Sequence, residues 1–100
     1  MNVKGITVKK TCLALILATT IGCSEKSATE YLTQAQAHLN NNNQEAAIIE
    51  LKNAIRSEPS LAQARFLLGK SYLATQQYPL AEKELERALE LDYPAEEVVP

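Results

Sequence analysis

The chain has 100 residues and a formal net charge of −2, a length that normally forms one small domain. Its composition is that of a helical globular protein, with three glycines, four prolines and no tryptophan. The lysines and arginines form no stripe that could follow a phosphate backbone, so the sequence argues against nucleic-acid binding.

The amino-terminal segment predicts a secretory signal peptide over residues 1–22. Its first ten residues contain three lysines and no acidic residue, and an uncharged run, TCLALILATTI, follows at residues 11–21. That run is too short to span a bilayer, which needs roughly twenty apolar residues. Loss of the three lysines with the signal peptide would change the net charge from −2 to −5.

A cysteine follows the apolar run directly, in the segment TTIGC at residues 19–23. This segment resembles the lipobox of bacterial lipoproteins, although Thr20 stands where that family usually has leucine. The resemblance implies that the Cys23 thiol is acylated, that the chain is cut just before it, and that residues 23–27 form a lipidated tether. The alternatives are an ordinary cleaved signal with a chance cysteine, or an uncleaved anchor.

The residues around Cys23 also bear on location. Lipoproteins kept in the inner membrane usually have aspartate where this chain has Ser24, so the resemblance implies the outer membrane. Cys12 would be removed with the signal peptide, which leaves the mature chain unable to form an internal disulfide. Two or more acyl chains hold a protein on a membrane durably.

Two amphipathic helices are predicted after the tether. Ser27 and Glu30 have the S-x-x-E pattern of a capping box, which places the first helix start near Ala28. The asparagine run at 40–43 predicts a turn, with a low-complexity polar tract as the alternative. Apolar residues of the second helix, which Pro59 stops, recur with helical spacing at Ala47, Ile48, Leu51, Ala54 and Ile55.

Two further helices are predicted next. The third helix is predicted over about 61–75, and Ser60 with Gln63 predicts a capping box at its start. Gly69 lies inside that helix at a cost of about 1 kcal/mol relative to alanine, which indicates that a neighbouring helix approaches too closely for a side chain. The fourth helix has Pro79 in its first turn and ends near Leu91, and PAEE at residues 94–97 predicts the start of a fifth. The interleaved charges of the fourth helix predict a solvated outer face that carries Glu82, Glu84, Glu86, Glu90 and Asp92.

The chain repeats itself with a period of 34 residues, which is the length of one helix–turn–helix unit. The shift aligns these pairs: Ala28 with Ala62, Ala35 with Gly69, Leu39 with Leu73, Ala47 with Ala81, Glu50 with Glu84, Leu51 with Leu85, Ala54 with Ala88 and Ile55 with Leu89. The aligned small residues mark where two helices touch. The period therefore predicts an all-α solenoid.

These positions resemble the tetratricopeptide repeat. The second repeat matches its signature at Leu68, Gly69, Tyr72, Tyr78, Ala81, Leu85 and Ala88, and the first at Tyr31, Ala35, Ala47, Leu51, Ala54 and Pro59. The first repeat departs at Gln34 and His38, and in the second Tyr93 stands where the closing proline is usual. The resemblance implies repeats at 28–61 and 62–95, with residues 96–100 starting a further helix.

The lipobox and the repeats together resemble the amino terminus of the PEP-CTERM-system tetratricopeptide lipoproteins, which continue with many more repeats. This implies a fragment of a longer, non-catalytic periplasmic scaffold in exopolysaccharide or PEP-CTERM protein export. Two alternatives are an assembly lipoprotein for a pilus or outer-membrane complex, and a docking arm of a larger periplasmic enzyme.

The family resemblance also implies a binding groove. Its first helices line a concave surface that takes an extended peptide or a partner helix, and the residues implied are Thr29, Leu32, Gln36, Asn40, Gln63, Phe66, Lys70 and Ala74. Phe66 would supply an apolar contact, and the polar side chains would supply hydrogen bonds. The alternative is that this stretch only caps the solenoid and binds nothing.

No constellation for catalysis or metal binding is present. His38 is the only histidine and has no partner for a transition-metal site, so a surface or packing role is expected. The sequence has no nucleophile–base set, P-loop or dinucleotide fingerprint. We therefore expect no enzyme activity, no cofactor and no small-molecule substrate.

Overall fold

The computed structural model describes residues 25–98, which fold into α-helices without any β-strand. The helices are α1 (Ala28–Asn40), α2 (Gln44–Ser57), α3 (Ala62–Ala74), α4 (Tyr78–Glu90) and α5 (Ala95–Val98). Each of the first four packs on the next one along the chain, and α5 contacts α4. The all-α helix–turn–helix architecture is confirmed. The predicted signal peptide, Cys23 and residues 99–100 lie outside the described residues.

The first capping box forms as predicted. The Ser27 hydroxyl accepts a hydrogen bond from the Glu30 amide at 3.2 Å, and the Glu30 carboxylate accepts one from the Ser27 amide at 3.2 Å. At the start of α2, the Asn43 side chain accepts from the Ala46 amide at 3.2 Å. These bonds satisfy amides that have no partner within their own helix.

The second predicted capping box, Ser60 with Gln63, is wrong. The residue that caps α3 is Leu61, and no side chain caps that helix. A turn after α2 is the reason: the Leu61 amide donates to the Glu58 carbonyl at 3.1 Å, which keeps Ser60 within the turn. The third helix runs over Ala62–Ala74, within one residue at each end of the prediction of about 61–75.

Three helices end with the same left-handed turn. The left-handed residues are Asn42, Gln76 and Asp92, with φ of 58°, 63° and 69°. In each case the amide of the following residue donates to a carbonyl five residues back: Asn43 to His38 at 2.9 Å, Gln77 to Tyr72 at 2.8 Å and Tyr93 to Ala88 at 3.0 Å. This is a Schellman motif, which satisfies carbonyl groups at the end of the helix and reverses the chain.

Small side chains form the centre of the core. Six alanines are completely buried: Ala35, Ala47, Ala54, Ala64, Ala81 and Ala88. Among residues 25–98, Leu51 is the largest side chain with no exposure. Because alanines separate the helix axes little, Gly69 lies directly against α4, and a Cβ built there would lie 2.6 Å from Cδ2 of Leu85. The predicted close approach at Gly69 is confirmed.

The acidic stretch of α4 departs from the prediction at one residue. Glu84 is buried, with 9% of its surface exposed, whereas Glu82, Glu86 and Glu90 are exposed as expected. Its carboxylate accepts a hydrogen bond from Nη1 of Arg65 at 2.9 Å, so the buried charge is paired. The sequence pattern missed this pair because its members are on different helices.

Candidate peptide-binding groove

Helices α1 and α3 carry the eight residues implied for the groove, and the structure divides them into two sets. Six are exposed and lie at equivalent positions of the two repeats: Thr29, Gln36 and Asn40 on α1, and Gln63, Lys70 and Ala74 on α3. The other two are buried, with exposures of 9% for Leu32 and 6% for Phe66. Those two belong to the packing of the solenoid, so the exposed six form the surface that a ligand can reach.

Phe66 is covered by a residue from the end of the second repeat. The ring of Tyr93 stacks on it with the centroids 4.5 Å apart and the planes inclined by 17°. The Lys70 ammonium lies 5.4 Å from the Phe66 centroid, within the range of a cation–π contact. The apolar contact expected from Phe66 is therefore already made within the chain, and Lys70 is held over the ring. Burial, with a smaller effect of Glu97, raises the pKa of Tyr93.

A cavity of about 260 Å³ lies where the groove meets the turn between α1 and α2. It brings together two of the predicted groove residues, Lys70 and Ala74, with four others: Leu39, Gln44, Leu67 and Ser71. Two buried oxygens in this lining have no hydrogen-bond partner, Oε1 of Gln44 and Oγ of Ser71. Sequence reasoning missed both residues, because nothing local distinguishes them from ordinary helix-interior polar residues.

A second cavity, of about 280 Å³, lies between α2, α3 and α4. Arg65 is one of its lining residues, and each of its three side-chain nitrogens makes a hydrogen bond: Nε and Nη2 donate to the Pro59 carbonyl at 3.3 and 3.2 Å, and Nη1 donates to Glu84. Burial, with a smaller effect from Glu84, raises the pKa of the neighbouring Tyr72 hydroxyl. The ion pair between Arg65 and Glu84 joins α3 to α4.

The outer face of α3 and α4 is apolar and open. A depression of about 460 Å³ there is lined by Leu73, Tyr78, Glu82, Leu85, Glu86, Leu89 and Val98. Three of these residues, Leu73, Glu82 and Leu89, correspond after a shift of 34 residues to Leu39, Ile48 and Ile55. Those three are packed against the core. This part of the face on α4 therefore resembles the surface of the first repeat that is partly buried by its neighbours.

The described residues offer neither a metal site nor a membrane-spanning helix. Between residues 25 and 98, no set of three or more histidine, cysteine, aspartate or glutamate side chains is placed to hold a metal ion. None of the helices described combines the length and the apolar character needed to cross a membrane.

The repeats identify the class of protein. A sequence profile described as tetratricopeptide repeat matches twice in succession, at residues 30–61 and 62–93. The two matches cover more than half of the chain, so this chain belongs to the tetratricopeptide repeat family. No curated protein and no solved structure matches it significantly. Tetratricopeptide repeats generally mediate protein–protein binding, and the family is typically non-catalytic.

Proposed function

We propose that this chain is a non-catalytic scaffold that binds a peptide or a helix of another protein in the groove of α1 and α3. The observation that carries the proposal is the exposed polar set that both repeats present at equivalent positions, above a core of buried alanines. Gln36, Asn40, Gln63 and Lys70 supply donors and acceptors for a peptide main chain. A rigid array with such a surface suits an extended ligand.

Site-specific photo-cross-linking in living cells tests the groove. A photoreactive benzoylphenylalanine in place of Gln36 should form a discrete adduct with one partner protein. The matched control carries the same group in place of Ile49, which is exposed on α2 and so lies outside the two groove helices. Equal adducts from both positions, or none from Gln36, would contradict groove binding.

We further propose that Cys23 is acylated and anchors the scaffold to the outer membrane, facing the periplasm. The support is the lipobox-like TTIGC segment after a basic and then apolar leader. Cell fractionation tests this: the wild-type chain should stay with the outer membrane, whereas Cys23→Ser should accumulate as an unacylated precursor. Cys12→Ser is the control and should behave as wild type. Equal acylation of the Cys23→Ser chain would contradict the proposal.

The cellular process that we propose is exopolysaccharide or PEP-CTERM protein export, on the strength of the lipobox and repeat combination. A strain without the gene should secrete less polysaccharide and mislocalise exported proteins. An unchanged envelope and unchanged polysaccharide would count against export. In that case assembly of a pilus or an outer-membrane complex becomes the better account, with a docking arm of a periplasmic enzyme as the other alternative.

A further inference from the structure

We propose that the cavity at the end of the groove is an anchor pocket for the side-chain carboxamide of an asparagine or glutamine in the bound protein. We call it the anchor pocket, lined by Leu39, Gln44, Leu67, Lys70, Ser71 and Ala74. The inference rests on the proposed groove function and names the chemistry that the groove recognises.

Two unpaired oxygens point to a polar ligand group. Ser71 is 1% exposed, yet its Oγ makes no hydrogen bond, and Oε1 of Gln44 is buried without a partner as well. Each unsatisfied buried group of this kind carries a free-energy cost, because it has lost its bonds to water. Both residues line the same cavity, so a polar ligand group placed there would lie close to both side chains.

The donor and acceptor pattern selects a carboxamide. Gln44 Oε1 is an acceptor and needs an N–H donor, whereas the Ser71 hydroxyl can donate to a carbonyl oxygen. A carboxamide has both an NH₂ group and a carbonyl oxygen, and it also pairs with the Gln44 amide in either orientation of that amide. A carboxylate only accepts hydrogen bonds, so it would leave Gln44 Oε1 unpaired in the amide orientation of this structure.

The size and the walls of the pocket fit a single side chain. Its volume of about 260 Å³ lies below the range of about 300–1,000 Å³ that is usual for pockets holding whole small molecules. Leu39, Leu67 and Ala74 give it apolar walls, which suit the methylene groups that carry a carboxamide. Lys70 also lines the pocket, and its ammonium group lies 5.4 Å from the centroid of the Phe66 ring.

Titration with three small probes, followed by ¹⁵N–¹H NMR of the full chain in detergent micelles, tests the pocket. The probes are the N-acetyl N-methylamides of glutamine, glutamate and glycine, which share the same main-chain amides. Only the glutamine probe should cause saturable shifts of the Gln44 side-chain amide and the Ser71 amide, with at least about 5-fold tighter binding than the others. Equal responses to all three, or no saturable shift with glutamine, would overturn the proposal.

Ser71→Ala separates a ligand contact from a structural hydroxyl. It should weaken binding of the glutamine probe about 2- to 10-fold, while the free chain melts at a higher temperature because a buried unpaired group is gone. The control Ser60→Ala, at an exposed turn residue, should change neither. A lower melting temperature of Ser71→Ala with unchanged binding of the probe would show that the hydroxyl is structural and would contradict the assignment.

The outcomes distinguish this pocket from the groove itself. If the glutamine probe fails while the Gln36 cross-link forms, the scaffold function stands and the carboxamide assignment falls. If the cross-link fails while the glutamine probe binds as predicted, the anchor pocket binds a carboxamide but the groove at Gln36 binds no partner protein.

Discussion

Gly69 lies close against the second helix of its repeat, and adding one methyl group there tests this close approach. In Gly69→Ala the new Cβ would lie 2.6 Å from Cδ2 and 2.7 Å from Cγ of Leu85, and 3.3 Å from the Ala81 carbonyl oxygen. Because Cγ is a branch point and not the tip of the side chain, rotation of one methyl group cannot relieve the contact. Either the whole Leu85 side chain or α4 itself must move.

Two opposing effects determine the change in stability. Overpacking a core costs about 1–3 kcal/mol, and replacing a helix-interior glycine by alanine returns about 1 kcal/mol. We therefore expect the free energy of unfolding to fall by up to about 2 kcal/mol in Gly69→Ala. In a domain of this size that corresponds to a decrease in Tm of roughly 4–8 °C for each 1 kcal/mol.

Urea unfolding followed by far-UV circular dichroism measures this change in the full chain. Ala37→Gly, at an exposed position of α1, is the matched control and should lower stability by about 1 kcal/mol through helix propensity alone. The double variant Gly69→Ala/Leu85→Ala should be less destabilised than the two single changes added together. If Gly69→Ala raises stability by as much as Ala37→Gly lowers it, the reasoning from close approach is refuted.

Four further predictions concern caps, turns and charges, and urea unfolding checks the first three. Ser27→Ala should lower stability by about 1 kcal/mol through loss of the cap, and an unchanged value would mean that the cap contributes nothing. Gln76→Gly should raise stability by up to about 1 kcal/mol because Gln76 is left-handed; a loss would refute that strain. Arg65→Met should lower the free energy of unfolding by about 2–3 kcal/mol, because it leaves the buried Glu84 carboxylate unpaired. An unchanged value would mean that the ion pair does not stabilise the contact between α3 and α4. Burial raises the Tyr72 pKa, so its contribution to stability is complete below about pH 10 and is lost as pH rises through the raised value. Tyr72→Phe should therefore flatten the alkaline loss of stability in a pH series of melts, and an unchanged loss would contradict this.

The sequence alone predicted the elements whose signals are local or periodic. The 34-residue spacing predicted the paired helices because the same helix–turn–helix unit occurs twice in the chain. The S-x-x-E pattern at Ser27 predicted the first helix start because it depends on residues within one turn. Gly69 could be interpreted for the same reason, since a glycine within an apolar helix is costly without a close neighbour. A capping pattern failed at Ser60, where the turn at Glu58–Leu61 takes precedence over the side chain.

Features that depend on three-dimensional pairing could not be predicted. Arg65 and Glu84 are nineteen residues apart and on different helices, so the acidic residue could not be distinguished from its exposed neighbours. Phe66 was expected in the groove, but Tyr93 covers it from the far end of the repeat. The presence of Tyr93 in place of the usual proline was the only sequence signal for that contact. Whether the six exposed groove residues bind a ligand stays a prediction.

Calorimetric titration of a peptide from the cross-linked partner into the full chain tests groove binding most directly. Substitution of Gln36 and Gln63 by alanine should weaken binding about 5-fold or more in combination, because each removes hydrogen bonds to the ligand. Replacement of Ile49 by alanine, on the exposed face of α2, should leave the affinity unchanged. The opposite pattern, with the Gln36/Gln63 double variant binding as tightly as wild type, would contradict the account of this chain as a groove-binding scaffold.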